Sequence, residues 1–553
     1  MSQMGPGLAW VDANDDGRED LVVGAGKGGA LTVLTNTGAR FTPRTGSTVV
    51  GDLTALVPIP DGRGGERLAV GQANYEADSF DAALMRSHRC WRSRFRGGCS
   101  PDPTVRCSVA TRRASAPSTA GDVNGDGWVD LFVGARVVGG AWPAPAPSRL
   151  LLGRPDGRYE PDQANAVAVA SLGLVTGAVL ADVSGDGRPD LVAAAEFGPV
   201  RVLVNEGGRL RDATRALGLD GVRSRWHGLA VTDADGDGRL DIVVTSMGRN
   251  LPWGASADRP HVLHTGRFGG TSLGLVFARA DSGATRERSR EMPLESFARL
   301  GLVLPGLRDR VKTYHEFATR SVDELLGDAV SSAARVGATT YDHLLLLNRG
   351  DRFEPRPLPP EAQRAPAHGV SVADFDGDGR EDLFLAQNLF PTEIATMRLD
   401  AGVGLMLLGD GRGGFRALSV RESGVVIRGD QRGSAVADFD GDGRVDLAVA
   451  QNGERTTLWR NVTGAVGLRV RVEAGAGNPR GIGALLHLEG QGWSGPVRAV
   501  TAGTGHWSTD GLVAVLARPA GATTLVVRWG DGRESRVTFA AGDRELRVRA
   551  PQD

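Results

Sequence analysis

A nine-residue pattern, D-x-[DNS]-x-D-G-x-x-D, recurs along this sequence and limits what the chain can fold into. It begins at Asp12, Asp122, Asp182, Asp233, Asp374 and Asp438. Each copy follows a short run of small and apolar residues, such as Gly369-Val-Ser-Val-Ala or Gly433-Ser-Ala-Val-Ala, and precedes another, such as Leu383-Phe-Leu-Ala or Leu447-Ala-Val-Ala. Apolar run, Asp-Gly turn, apolar run reads as strand, loop, strand, so each copy is a hairpin turn. The first aspartates are 110, 60, 51, 141 and 64 residues apart, and a four-stranded propeller blade with its loops needs about 40 to 60. The gap of 110 therefore hides a degenerate unit near Leu53 to Gly71, with Arg63 and Arg67 where the others carry carboxylates. The gap of 141 is one unit with an insertion of about 90 residues, roughly 249–340. Its later part has helical spacing at Leu307, Val311, Tyr314 and at Val322, Leu325, Leu326. Seven units closed into a ring leave few strand edges exposed. The expected fold is all-β: a seven-bladed β-propeller over residues 1–465, a partly helical lid insertion in blade five, and a further β domain over 466–553.

The pattern places oxygen ligands at positions 1, 3, 5 and 9, leaves the carbonyl of position 7 free to join them, and puts Gly at position 6 for the sharp turn. Hard oxygens in a flexible loop suit Ca2+ better than zinc or copper. The expected ligands are Asp12, Asn14, Asp16 and Asp20; Asp122, Asn124, Asp126 and Asp130; Asp182, Ser184, Asp186 and Asp190. The remaining sets are Asp233, Asp235, Asp237 and Asp241; Asp374, Asp376, Asp378 and Asp382; Asp438, Asp440, Asp442 and Asp446. An EF-hand is excluded, because its twelfth position needs a glutamate and here holds an apolar strand residue such as Val23 or Leu385. About six ions, each enclosed by its own loop, read as structural, since a catalytic metal keeps an open position. The degenerate second turn is expected to hold none.

Composition narrows the partners. With 64 Lys+Arg against 66 Asp+Glu the net charge is -2, which lacks the basic excess of a nucleic-acid or anionic-membrane binder. No stretch approaches 18 uninterrupted apolar residues, so no membrane span is expected. Met1–Trp10 lacks a charged and an apolar leader region, which reads as cytoplasmic as written, or extracytoplasmic if a leader was removed. Cys90, Cys99 and Cys107 fit a loop disulfide plus a thiol, or three free thiols.

The loops resemble the FG-GAP/VCBS calcium-loop repeats of integrin-type seven-bladed propellers, over residues 1 to about 465. The tail contains Leu468-Arg-Val-Arg-Val, Asn478-Pro-Arg-Gly-Ile-Gly-Ala484, Val500-Thr-Ala-Gly-Thr-Gly505 and Leu525-Val-Val-Arg-Trp-Gly-Asp-Gly532. That order is similar to the ASPIC/UnbV domain, and repeats plus tail resemble the CRTAC-like family. The resemblance implies either matrix binding or a role in bacterial natural-product biosynthesis, of an enediyne or related polyketide.

In such a propeller the insertions after each second strand, at about 73–104, Arg136 to Ser148, 249–340 and Asn388 to Ala401, gather over one mouth of the channel. Six residues before three of the first aspartates stand His227, His368 and Arg432, and the second strands end at Gln72, Arg136, Glu196, Gln387 and Gln451. His227, His368, Arg432, Glu196 and Arg136 are the candidate catalytic set, suited to general acid-base chemistry or to capture of an anionic or polyketide-like ligand. The alternative is that these are ordinary polar strand ends lining a wet channel. Trp226 and Trp253 are candidate apolar walls, and Arg308, Arg310, Tyr314, His315 and Glu316 fit a solvated helix face. His506 and Trp507 are expected to fill a turn and a small β core in the tail. No nucleophile elbow, P-loop, zincin or dinucleotide motif occurs in a suitable context. The expected function is a calcium-stabilised propeller acting in natural-product biosynthesis, as a cofactor-free enzyme or an intermediate-binding accessory. The alternative is an extracytoplasmic adhesion protein recognising a protein or glycan.

Overall fold

The computed structural model describes residues 5–38, 40–49, 51–62, 65–73, 89–91, 113–138, 141–268, 274–280, 290–304, 306–392 and 397–551. Arg63, Cys99, Cys107 and most of the second unit's insertion lie outside these residues. The fold is all-β with a few short helices, and among the described residues no helix is long and apolar enough to cross a membrane.

Each repeat builds one antiparallel sheet in which the Asp-Gly loop joins the first strand to the second. In the first sheet Leu8–Val11 pairs with Asp20–Val23, and Ala30–Asn36 and Phe41–Thr48 follow outward. The register is the same in all six loops: the residue before the first aspartate pairs with the ninth position, as in Val11 with Asp20, Thr232 with Asp241 and Ala437 with Asp446. The degenerate unit forms its sheet as well, from Leu53–Pro60, Glu66–Gln72 and Arg89–Trp91. The remaining first strands are Arg113–Gly121, Leu174–Ala181, Leu229–Thr232, Ala367–Ala373 and Asp430–Ala437. Each first strand lies beside the first strand of the next sheet, and that of the seventh lies beside Leu8–Val11.

Small residues permit this approach. A Cβ at Gly228 would stand 2.3 Å from the His368 carbonyl oxygen, and one at Gly369 would stand 2.6 Å from that of Arg432. The sheets also bury apolar faces on one another, as where Val179, Val192 and Val202 meet Trp226, Ile242 and Leu346. The seam between seventh and first sheets is packed likewise. Leu8, Trp10 and Leu21 meet Ala435, Ala437 and Ala448, and Trp10 stacks on Phe439 at 6.1 Å.

The insertion in the fifth repeat is more than a helical lid. It contains a four-stranded sheet of Glu291–Pro293, Gly274–Ala280, His261–Gly266 and Ala334–Ala338. Short helices from Phe297 to Leu326 bury Phe297, Leu300, Phe317 and Leu325 against it. The strand His261–Gly266 holds two histidines, a threonine and a glycine yet is buried along its first five residues, and the alternating burial of Gly274–Ala280 includes an arginine, so sequence spacing found the helices and missed the sheet.

Beyond residue 466 two small sheets share a core of Leu468, Val470, Leu486, Leu525, Val527 and Trp529. These sheets touch all seven hairpins. The Glu19 carboxylate accepts the Leu512 N–H at 2.5 Å, Arg480 pairs with Glu66, and the Val129 N–H donates to the Gly477 carbonyl at 3.1 Å. Arg528 reaches Asp182 at 3.2 Å, and the Val497 N–H reaches Asp233 at 2.9 Å. Arg498 pairs with Glu381 at 2.7 Å, and Arg469 pairs with Asp438. From the same sheets a hairpin of residues 500–511 enters the middle of the ring. Its Ser508–Thr509 adds in parallel to Leu8–Ala9, and it bonds to Ala120, Leu229 and Val436 of three other first strands.

Candidate functional site

The six loops share one hydrogen-bond scheme. The first aspartate accepts the position-6 N–H in every loop and, in all but that of the seventh repeat, the position-5 N–H too, as Asp12 does from Gly17 at 2.7 Å and Asp16 at 3.0 Å; in the seventh the Asp442 N–H donates to Asp440 instead. The fifth accepts the N–H of position 7 at 2.9 Å in loops such as those of Arg188, Arg239 and Arg444. One oxygen of the ninth accepts the N–H of position 2, at 3.0 Å from Ala13 and from Ala234. Three loops bring the carboxylates of positions 1, 3 and 9 within 4.8 Å of one another: Asp233, Asp235 and Asp241; Asp374, Asp376 and Asp382; Asp438, Asp440 and Asp446. Where position 3 is Asn14, Asn124 or Ser184, a neutral oxygen takes its place. Where position 7 is arginine it pairs with the fifth carboxylate, as Arg380 does with Asp378 at 2.9 Å; the third repeat has Trp128 there.

Two observations fit a cation to these triads. The Oδ1 atoms of Asp235 and Asp438 are buried without a hydrogen-bond partner. Burial and then the neighbouring carboxylates raise Asp241 to about 7, and Asp382 and Asp446 to about 8, although each accepts backbone N–H groups. A hard divalent ion at such a triad supplies the positive charge that buried carboxylates otherwise lack.

Sequence reasoning missed the residues that tie each loop to the adjacent sheet. Asn36, Asn205, Asn348 and Asn461 end third strands or follow them directly, and their backbone N–H groups donate to the second oxygen of Asp20, Asp190, Asp241 and Asp446 at 2.7 to 2.8 Å. Their side-chain amides cross to the preceding repeat, reaching the carbonyls of Phe439, Val123, Val183 and Phe375 at 2.6 to 2.8 Å. The signal was present: Asn36, Asn205 and Asn461 stand 16, 15 and 15 residues after the ninth position. Asn348→Ala leaves the buried Val183 and Leu240 carbonyls without that amide. The expected cost is about 1–3 kcal/mol, read as a lower urea midpoint, and an unchanged midpoint refutes the clamp.

The ring centre differs from the expected wet mouth because the 500–511 hairpin fills it. His227 and His368 stack at 4.3 Å, His368 meets His506 at 5.2 Å, and His506 stacks on Trp507 at 4.0 Å. His506 and Trp507 thus belong to the ring centre and not to the core of the tail. The His227 Nδ1–H donates to the Ala367 carbonyl at 2.9 Å, which leaves Nε2 as the acceptor. Burial pushes His227 down to about 3 and holds His368 and His506 well below the ordinary imidazole range; Arg432 lowers the latter two further. Arg432 is 1% exposed and forms a two-point pair with Asp430. Glu196 is buried and accepts from Arg136 at 2.7 Å, Arg225 at 3.1 Å and the Trp142 indole at 3.3 Å. Burial opposes its charge, but the two guanidiniums overcome it and lower Glu196 to about 2. Gln72, Gln387 and Gln451 are buried strand ends.

Insertions of the third, fifth and sixth repeats meet, while that of the second lies mostly outside the described residues. Val137 of the third repeat, Leu174 and Phe197 of the fourth, Leu263 and Tyr341 of the fifth and Leu399 of the sixth form one apolar cluster, with Trp142 and Trp253 against it. Trp226 is corrected from a wall of that mouth to a core residue. It is 0% exposed, and its indole donates to the Gly198 carbonyl at 2.9 Å. Tyr314 is 71% exposed, as a solvated helix face requires.

The FG-GAP-like repeat family profile matches residues 122–193 and 182–244. The protein is therefore an all-β chain carrying FG-GAP-like repeats. None of the curated proteins matches it. Among solved structures it is similar to an Agrocybe aegerita lectin that recognises non-reducing terminal N-acetylglucosamine, with 16% identity over 83% of this chain and 95% of that one and a TM-score of 0.39. The V. cholerae biofilm matrix protein Bap1 shares 14% identity over 86% of this chain and 92% of its own, with a TM-score of 0.34. Saccharomyces cerevisiae Sqt1 shares 12% identity over 84% and 100%, with a TM-score of 0.36.

Proposed function

We propose that the chain is a seven-bladed β-propeller over residues 1–465, stabilised by about six Ca2+ ions and joined to an ASPIC/UnbV-like β domain over 466–553. In this reading it works as a binding protein at the face built from the insertions. The cyclic order of the seven first strands and the unpartnered oxygens of Asp235 and Asp438 support the ring and the ions. One observation carries the preference for binding over catalysis: the charged groups at that face are engaged with one another. Glu196 is held by Arg136 and Arg225, and Arg432 by Asp430. A general acid or base needs a free lone pair or proton near the operating pH, and a carboxylate lowered to about 2 between two guanidiniums supplies neither. The family resemblance supplies the ligand class, a polyketide-like intermediate of a bacterial pathway that is held and not transformed. Leu302 and Tyr314, 85% and 71% exposed on the insertion helices, favour a protein partner as the second reading.

Deleting the gene and comparing metabolites by mass spectrometry tests the role. Loss of one product, restored by the wild-type gene, together with recovery of its precursor on protein purified from the native strain, is the expected result. An unchanged profile leaves the adhesion reading in its place. Conversion of many equivalents of precursor by the purified protein overturns the holding role.

A further inference from the structure

The C-terminal sheets and the cation sites use the same carboxylates from opposite sides. In the fourth, fifth and seventh repeats the donor from beyond residue 466 meets Oδ2 of the first-position aspartate: Arg528 on Asp182, the Val497 N–H on Asp233 and Arg469 on Asp438. That same Oδ2 accepts the loop's own position-6 N–H, at 2.9 Å from Gly187, 3.1 Å from Gly238 and 2.9 Å from Gly443. Oδ1 accepts loop N–H groups in Asp182, from Gly185 and Asp186, and in Asp233, from Asp237, and in Asp438 it is buried and without any partner. We propose that calcium occupancy of these loops and seating of residues 466–553 on the ring are positively linked, each strengthening the other. The proposal rests on the calcium reading above.

The physical reason is preorganisation. An ion on Oδ1 fixes the rotamer of the aspartate and so presents Oδ2 to the C-terminal donor, and the donor on Oδ2 fixes Oδ1 for the ion. Repulsion between Arg469 and the ion opposes this. It is small, because Glu545 already pairs with Arg469 at 3.1 Å, and at Asp233 the donor is a neutral N–H. The seating is therefore a reporter of the loops, and the 500–511 hairpin in the ring centre is carried by the same seating.

Hydrogen exchange of the full chain, in saturating calcium and in chelator, tests the linkage, alongside calorimetric titration with calcium alone. Exchange across residues 469–473 and 497–513 is expected to rise at least tenfold when calcium is removed. Arg469→Met is expected to weaken one calcium site by roughly five- to tenfold and leave the others unchanged. Arg528→Met, at a side chain more exposed than that of Arg469, is expected to do the same at the fourth repeat and keeps the test available if the first variant does not fold. Calcium binding by the wild type with unaltered exchange in those segments, or with variant affinities equal to wild type, overturns the linkage while the calcium reading stands. No calcium binding by the wild type overturns both.

Discussion

Removing calcium is expected to lower the thermal midpoint by about 14 °C. A site filled at free calcium one hundredfold above its Kd stabilises the folded chain by about 2.7 kcal/mol, so six sites together contribute roughly 16 kcal/mol. Unfolding entropy scales with length, and for a chain of this size one degree of midpoint corresponds to about 1.2 kcal/mol. The triads make the sites unequal. The fifth, sixth and seventh loops each offer three clustered carboxylates, whereas Asn14, Asn124 and Ser184 supply neutral oxygens in the others. Stepwise chelation is therefore expected to empty the first, third and fourth loops before the rest. Differential scanning calorimetry across a chelator series reads this directly, and a total shift under 2 °C refutes structural calcium in this protein.

The second large effect is acid sensitivity from buried histidines between about pH 6.5 and 5. His368 and His506 are buried beside Arg432, His227 and Arg136, and all of these oppose a positive imidazole. Their folded pKa values are depressed below the ordinary 6.5, so stability is complete above about pH 6.5 and is lost as pH falls from there toward the folded values. Each such histidine costs about 1.4 kcal/mol per pH unit in that window. Burial lowers His227 to about 3 and His261 and His343 to about 4 as well, so the five together cost roughly 10 kcal/mol between pH 6.5 and 5. Urea unfolding at saturating calcium is expected to show a flat stability from pH 8 to 6.5 and a steep fall below it, with His506→Asn removing about a fifth of the slope. Equal stability of the wild type at pH 7 and pH 5 refutes a closed ring centre.

The repeat was legible because its chemistry is local. Asp, Asp and Gly at fixed offsets define a turn whatever surrounds it, and the apolar runs on either side define the paired strands. The same logic found the degenerate second sheet from spacing alone, although its turn has no carboxylate at the ninth position. The insertion's sheet was less legible, since a strand such as His261–Gly266 mixes His, Thr and Gly with apolar residues and gains its pattern only from what it packs on. The ring centre was least legible. His227 and His368 were placed at strand ends by counting, but nothing local to them announces that His506, 279 and 138 positions further along, will lie beside them. His506 sits in a Gly-Thr-Gly turn that reads as an ordinary loop of the tail. Its burial comes from first strands of several repeats that meet around it, and from no single segment. The asparagine clamps lay between these extremes, at a fixed spacing that acquires meaning only once the neighbouring carbonyl is known.

The contacts between hairpins and C-terminal sheets also set an order of events in time. Glu19 finds its partner at Leu512, 493 residues later, and Asn36 finds Phe439 403 residues later. At ordinary rates of synthesis the first of these intervals lasts about 25 to 100 s. Through that time the first sheet emerges with one edge of its core bare and a buried-type carboxylate still in water, while the middle sheets can already pack on their predecessors. The first sheet can pack on the second as soon as that emerges, with Ala9, Val11 and Val22 on Leu53, Leu56 and Val70, and its seam with the seventh sheet closes last. The late step, and not the stability of any one sheet, is where a nascent chain is most open to proteases and to wrong partners.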